Sequence, residues 1–437
     1  MTPARGLLVA APRSSSGKTT VTLALMRALA RRGIAVRGAK CGPDYIDPAF
    51  HQAATGYPSF NLDSFAMPEA MLDSVAALAA EGADLVVAEG SMGLFDGIVA
   101  GAGRTGANAD IAARYDWPIL LVLDVSGAAQ SAAAVALGCK LYDARIRIAG
   151  VVLNKVASPR HRRLVEAGLA QVGLPVFGAL MRDTTLVLPE RHLGLVQARE
   201  TNDLDARLDR LADLAEAGLD LDAILAAAGG RSPVAGPSAL PRPPGQRIAV
   251  ASDAAFSFLY PHMEAGWRAQ GAELVAFSPL ADEAPPADCD ACWLPGGYPE
   301  LHADRIGTAR RFLDGLRAFG AEKPIHGECG GYMVLGDSLE DAAGTTHAMA
   351  GLLPVATSYK TRRLHLGYRV ATLLADGALG AAGARLVGHE FHYASERTPA
   401  PDDATALARV TDAEGVPQGL AGHRRGRVTG SFFHLIG

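Results

Sequence analysis

The chain is poor in lysine and cysteine, and it has no long apolar run. Only six of its 41 cationic residues are lysine. With so many Ala and Gly, that bias reads as genome composition rather than function. The 46 acids outnumber the cations and leave a net charge of −5, so no basic field is available to hold nucleic acid. Five cysteines in 437 residues make no disulfide framework, and a reducing, cytoplasmic setting is expected. No apolar stretch approaches the ~20 residues of a membrane helix. Leu7-Leu8-Val9-Ala10-Ala11 is too short for a secretory core and is followed by Arg13 and Lys18. It reads as a first buried strand, and no membrane partner is expected.

What is present is a globular composition, with 49% apolar and 20% charged residues. At ~150 residues per domain the length suggests two or three domains. Residues 231–245 contain five prolines and two glycines, which no helix or central strand tolerates. The expected organisation is a domain over 1–230, a linker over 231–245 and a domain over 246–437. No short-period repeat is visible. Short apolar runs at 6–10, 34–39, 84–88, 119–123 and 148–153 predict strands in the first half. Val21, Leu25, Ala28 and Leu29 form a helical stripe after Lys18. The second half predicts strands near 247–251, 273–277, 290–294, 324–326, 386–393 and 427–434, and helices near 260–270 and 304–319. The fold class is α/β: two open, mostly parallel sheets joined by a Pro-rich linker.

Two places carry chemistry. The first strand runs into Ser16-Gly17-Lys18-Thr19-Thr20 and an amphipathic helix. In a P-loop the backbone N–H groups cradle phosphates, the Lys reaches the β/γ oxygens and the Thr hydroxyl ligates Mg²⁺. Pro12 stands where the first Gly of the standard spacing belongs. Acids to support a metal follow the next strands: Asp44-Tyr45-Ile46-Asp47 and Glu89…Asp96. Any one of these acids reads equally as a helix cap or an Asx-turn. Asn154-Lys155 ends a strand and is a candidate for touching base or phosphate.

The second place is His326-Gly327-Glu328-Cys329-Gly330-Gly331, a strand-to-helix turn with small residues beside a cysteine. Such an elbow thrusts the thiol into solvent, and the helix N-terminus lowers its pKa. Gly330 N–H then faces an oxyanion, with Gly297 of Pro295-Gly296-Gly297 as the second donor. His434 on the last strand is the expected general base. Cys289-x-x-Cys292 lacks a second pair and sits on a predicted strand, so packing is the better account. His389-Glu390-Phe391-His392 is one residue short of the zincin spacing in a β context, which leaves His389 and Glu390 only as neighbours of the site.

Over nearly its whole length the chain resembles the cobyrinic/hydrogenobyrinic acid a,c-diamide synthases, through Gly42–Pro48 and Glu89–Gly97. Glu190–Leu195 and Asp253-x-Ala255-Phe256-x-Phe258 also look familial. The first half looks like a dethiobiotin-synthetase-like ATPase with a P-loop NTPase-like fold, the second like a class I glutamine amidotransferase. The resemblance implies ATP, Mg²⁺, L-glutamine and a corrin polycarboxylate. It assigns Ser16, Gly17, Lys18, Thr19 and Thr20 to ATP, and Thr19, Asp47 and Glu89 to the metal. Asp44, Tyr45 and Asp96 fall to substrate and phosphate. It implies an acyl phosphate on each acetate, ammonia from glutamine through Cys329, and a sheltered route between the sites. His434 is followed by Leu435-Ile436 rather than the usual Pro-Glu, so a Cys329–His434 dyad is expected. Metal-free and cobalt-loaded rings stay undecided, as does the oligomeric state, with a homodimer among the options. A cobyric acid synthase is the nearest alternative. A partitioning-type ATPase switch is the distant one: Arg13 stands where those switches carry Lys, and Cys329 would have no purpose.

Overall fold

The structure is a computed structural model that describes residues 4–183, 190–191, 194–233 and 239–437. His192 and Leu193 of the familial stretch lie outside the described residues, as does the middle of the Pro-rich segment. The chain forms two compact units, Met1–Ala239 and Leu240–Gly437. The Pro-rich segment is not free at its described ends. Arg231 N–H donates to Tyr115 O at 2.7 Å in the first unit, and Trp267 Nε1–H to Arg242 O at 3.1 Å in the second. Among the described residues no helix is long and apolar enough to cross a membrane.

The first unit is built on seven strands: β1 Arg5–Ala10, β2 Val36–Cys41, β3 Phe60–Leu62, β4 Leu85–Glu89, β5 Ile119–Asp124, β6 Ile148–Val156 and β7 Val176–Met181. They pair in the order β3-β2-β4-β1-β5-β6-β7, all in parallel. Near-continuous apolar runs such as Leu7-Leu8-Val9 suit strands covered on both faces. β3 and β7 were not expected: β3 is three residues long, and Gly178 interrupts the apolar pattern of β7. The helix Lys18–Arg31 buries Val21, Leu25, Ala28 and Leu29. The chain passes from β1 to β2 on one side, and from β4 across β1 to β5 on the other, so the loops after β1, β2 and β4 open at a switch point of the sheet. A small hairpin, β8 Glu190–Arg191 with β9 Gly194–Leu195, follows.

The second unit holds β10 Arg247–Ala251, β11 Glu273–Phe277, β12 Ala291–Leu294, β13 Ile325–Glu328, β14 Ser338–Glu340, β15 Thr346–Ala348 and β16 Ala356–Ser358. These are followed by β17 His365–Leu373, β18 Arg385–His392, β19 Ser395–Glu396, β20 Ala406–Asp412, β21 Pro417–Arg425, β22 Val428–Ser431 and β23 His434–Leu435. The main sheet runs β11-β10-β12-β13-β22-β21-β20-β17-β18-β23, and β14, β15, β16 and β19 make a small second sheet. The main sheet is parallel from β11 to β22, as the α/β reading expects, and continues as an antiparallel extension.

Residues 427–434 are not one strand. It splits at Phe432-Phe433, and β23 lies five places from β22 in the order. In a flat sheet that separation is ~24 Å, whereas the connecting residues reach at most ~11 Å. The antiparallel half therefore curls back on itself, which returns the C-terminus to β13. The helix expected over 304–319 is two, Ala303–Thr308 and Arg310–Glu322, because Asp282 captures Phe312 N–H at 2.9 Å and starts a new helix. Its Phe312, Leu313, Leu316 and Phe319 fill the core.

Candidate active sites

In the first unit the loop after β1 is braced from below. Asn154 Nδ2–H donates to Ser16 O at 2.9 Å, and Lys155 Nζ reaches Ser15 O at 3.3 Å and Asp124 Oδ2 at 2.8 Å. Asn154 and Lys155 thus hold the loop's backbone. A Cβ on Gly17 (φ 89°) would fall 2.0 Å from Asn154 Nδ2, so only glycine fits there. Ser16 is buried and closes the turn onto Arg13 O at 3.0 Å, while Thr20 is half-buried in the first helical turn.

Lys18 is buried and donates to Met92 O at 2.5 Å; burial and then the neighbouring Lys40 lower its pKa to about 8. Thr19 Oγ1–H donates to Glu89 Oε1 at 2.6 Å. The same carboxylate takes Lys40 Nζ at 3.0 Å and His51 Nε2 at 2.8 Å, and Lys40 reaches Asp47 Oδ2 at 2.5 Å. Burial alone would raise the Glu89 carboxyl; Lys40 and His51 outweigh it and hold it well below the usual carboxylate range. Burial, then the charge of Asp44, pushes Asp47 up. Lys18 and Lys40 are the two ammonium groups that act on these acids.

Asp44 and Asp96 also serve the local structure. Asp44 Oδ1 accepts from Ile46 N–H at 2.7 Å and Asp47 N–H at 3.1 Å, capping the helix Asp47–Thr55, and its Oδ2 lies 4.0 Å from Lys40. Asp96 Oδ2 accepts from Gly93 N–H at 2.8 Å and closes its loop. Tyr45 is half-buried in the same turn as Asp44. The residues missed from sequence are Lys40 and His51. A lysine inside the buried strand Val36–Cys41 was the available signal, since buried lysines need acidic partners.

In the second unit Cys329 occupies the turn between β13 and the short helix Gly330–Leu335, at φ 45°, ψ −101°. A non-glycine residue there costs ~1–3 kcal/mol, a strain typical of nucleophile elbows. Contrary to the expectation of a solvent-thrust, acidified thiol, Cys329 is only 3% exposed. Burial, then the carboxylate of Glu300, pushes its pKa well above the usual range, and Gly330 N–H counters only in part. A six-residue helix has too little dipole to reverse this.

A Cβ on Gly296 would lie 2.5 Å from His434 Cε1 and 3.4 Å from Cys329 Cβ, so bare backbone there lets imidazole and thiol share one pocket. Gly297 N lies 3.0 Å from where a Cβ of Gly330 would be, which puts the two expected oxyanion donors side by side. The familial Asp253–Phe258 segment braces this loop: Phe258 N–H donates to Gly296 O at 2.9 Å and Tyr298 N–H to Ala255 O at 3.1 Å. A carboxylate stands beside the expected dyad. Glu328 Oε2 lies 3.5 Å from His434 Nδ1, and its Oε1 accepts Leu435 N–H at 3.0 Å. The residue before Cys329 thus places a carboxylate next to His434, where no acid follows that histidine in sequence. His389 pairs with His434 across β18 and β23, while Glu390 is held by Arg369 at 2.9 Å. Cys292 is buried on β12, with Cys289 in the turn before it rather than on the strand. Among the described residues no three His, Cys or acid side chains converge to hold a metal on their own.

Residues 7–196 match the CobQ/CobB/MinD/ParA nucleotide binding domain, and residues 247–437 the CobB/CobQ-like glutamine amidotransferase domain. The chain is 58% identical to the hydrogenobyrinate a,c-diamide synthase of Mesorhizobium japonicum, over 99% of this chain and 98% of that one. It is 54% identical to that of Agrobacterium fabrum over 99% of both chains. With that of Rhodobacter capsulatus the identity is 57%, over 99% and 98%. The chain belongs to the hydrogenobyrinate a,c-diamide synthase family. Its members are ATP-dependent ligases with glutamine as amido donor, so the two sites have complementary tasks. Full-length kinship to these synthases removes the partitioning-switch alternative, although MinD and ParA share the nucleotide-binding domain.

In this family member the amidotransferase unit also buries neutral histidines. Burial lowers His262 to about 4 and His326 and His392 to about 3. Unfolded, each would titrate near ~6.5. Their folded values are depressed, so the unfolded chain binds more protons below that pH. The stabilisation is complete above pH ~6.5 and is lost as the pH falls toward 4 and then 3, by about 3 kcal/mol for His262 and about 5 kcal/mol each for His326 and His392. Chemical unfolding at pH 7.5, 6.5, 5.5 and 4.5 should show a midpoint falling steadily below 6.5. A flat midpoint would mean that these rings are already protonated in the fold.

Proposed function

We propose that this chain amidates the a and c acetates of hydrogenobyrinate in cobalamin biosynthesis, using ATP and glutamine. The observation that carries the reading is full-length identity of 54–58% to synthases named for the metal-free ring, together with intact sites in both units. A carboxylate is a poor electrophile, so ATP first converts it to an acyl phosphate. The backbone of 16–20 and Lys18 hold the phosphates and offset charge on the transferred group. The donors for Mg²⁺ are Thr19 Oγ1, Glu89 and Asp47, hard oxygens that suit this ion when substrate phosphates complete its shell. When bound, Mg²⁺ would supply charge neutralisation beyond that of Lys18 and Lys40. Asp44, Tyr45 and Asp96 line the loops where the carboxylate arrives.

Cys329, as thiolate, attacks the amide carbon of glutamine, and Gly330 and Gly297 N–H groups receive the oxyanion. His434 takes the thiol proton and passes it to the departing ammonia, with Glu328 orienting the ring. Water then hydrolyses the thioester to glutamate. Ammonia displaces phosphate from the acyl phosphate, and a second round gives the diamide.

The test is mass spectrometry of products from hydrogenobyrinate and from cobyrinate, each supplied with ATP, Mg²⁺ and glutamine. Hydrogenobyrinate should be converted to a product with two amides, and faster than cobyrinate. Preference for the cobalt ring would reassign the substrate. Four added amides would make the chain a cobyric acid synthase.

A further inference from the structure

Glu300 is placed where it opposes the chemistry beside it. It lies three residues after Gly297, and Pro299, its neighbour, packs against Gly330: a Cβ there would meet the proline ring at 2.8 Å. Glu300 is 8% exposed, and both carboxylate oxygens are shut off from solvent. Among the charges acting on Cys329 its effect is the largest, ahead of Glu328 on β13 and Glu390 on β18. Tyr359 is buried and is influenced in turn by Glu300, Cys329, Tyr298 and, in the opposite sense, Arg362. The buried acid, on the loop packed against the elbow, thus acts on both the thiol and the Tyr359 phenol. The other ionisable groups of that surrounding are His434 on β23, His389 on β18, and Arg369, which is paired with Glu390.

A like charge beside a thiol that must ionise slows the reaction unless the substrate cancels it. Glutamine is a zwitterion and brings an ammonium. We propose that Glu300 recognises the α-ammonium group of L-glutamine. The proposal rests on Cys329 being the glutaminase nucleophile. Glutamine binding then removes the field that keeps the thiol protonated, so the nucleophile is armed only when its substrate is in place. The acid thus serves both specificity and timing.

The experiment compares glutamine with 4-carbamoylbutanoate, which is glutamine without its α-amino group, in wild type, Glu300→Gln and Glu300→Asp. A site built around a substrate's polar group rejects the analogue lacking it by ~100-fold or more in kcat/KM. Wild type should show that preference. Glu300→Gln should raise the glutamine KM by about 10–100-fold and bring the two substrates within a few-fold of each other, with Glu300→Asp in between. In Glu300→Gln, alkylation of Cys329 by iodoacetamide without glutamine should also shift to lower pH. Ammonia-driven amidation and thermal unfolding report folding; should Glu300→Gln not fold, Glu300→Asp carries the same comparison. Undiminished preference for glutamine in a folded variant overturns the proposal. Failure of the underlying reading would look different: Cys329→Ala would keep using glutamine, whatever the state of Glu300.

Discussion

Cys329→Ala is expected to lose glutamine-dependent amidation by ~10³-fold or more while keeping amidation driven by a high concentration of ammonium salt. In the proposed mechanism the thiolate is the covalent handle for glutamine, and no other cysteine is placed to replace it. Cys41 is buried, and burial pushes its thiol up to about 12; burial likewise raises Cys139, Cys289 and Cys292. None of them occupies a strained strand-to-helix turn. The assay is amide formation measured in parallel with glutamine and with ammonia at mildly alkaline pH, where free NH₃ is available. Retained glutamine use would remove the nucleophile assignment. Loss of both activities in a folded variant would move Cys329 to the synthetase chemistry.

Lys18→Ala has the complementary signature: amidation falls by ~10³-fold with either nitrogen source, because both need the acyl phosphate. The substitution also leaves Glu89 and Asp47 with Lys40 as their remaining nearby ammonium, and the carboxylate charge left uncompensated repels the nucleotide phosphates. Glutamine hydrolysis, a reaction of the other unit, should continue. ADP release and amide formation with ammonia are the measurements. Normal product formation by this variant would sink the ATP-site assignment.

The parts of the sites that were legible in sequence are contiguous in it. Gly17-Lys18-Thr19 follows a strand and opens a helix, and Gly327-Glu328-Cys329-Gly330 does the same. A strand–turn–helix motif is set by local backbone geometry, which residue type reveals directly. The acidic loops were legible as loops, but local structure already claims part of Asp44 and Asp96 through a cap and a turn, as their residue types allowed. Lys40 and His51 were not legible as site residues. They reach Glu89 across a strand pairing and from a helix; the buried strand marks Lys40 as needing an acid, but neither neighbourhood says which acid is met.

By itself the sequence determined the phosphate loop, the cysteine elbow, the two-part α/β organisation and the kind of chemistry each part performs. Tertiary structure alone decided which carboxylate stands beside His434, how deeply Cys329 is buried and that Glu300 lies buried on the loop packed against the elbow. The reason lies in the second sheet. Its antiparallel half must curl for two residues to join β22 to β23, and that curl brings His434 from the chain's end to Glu328 and Cys329. Long-range strand order and curvature leave no periodic trace in the chain, because each strand alone would fit many neighbours.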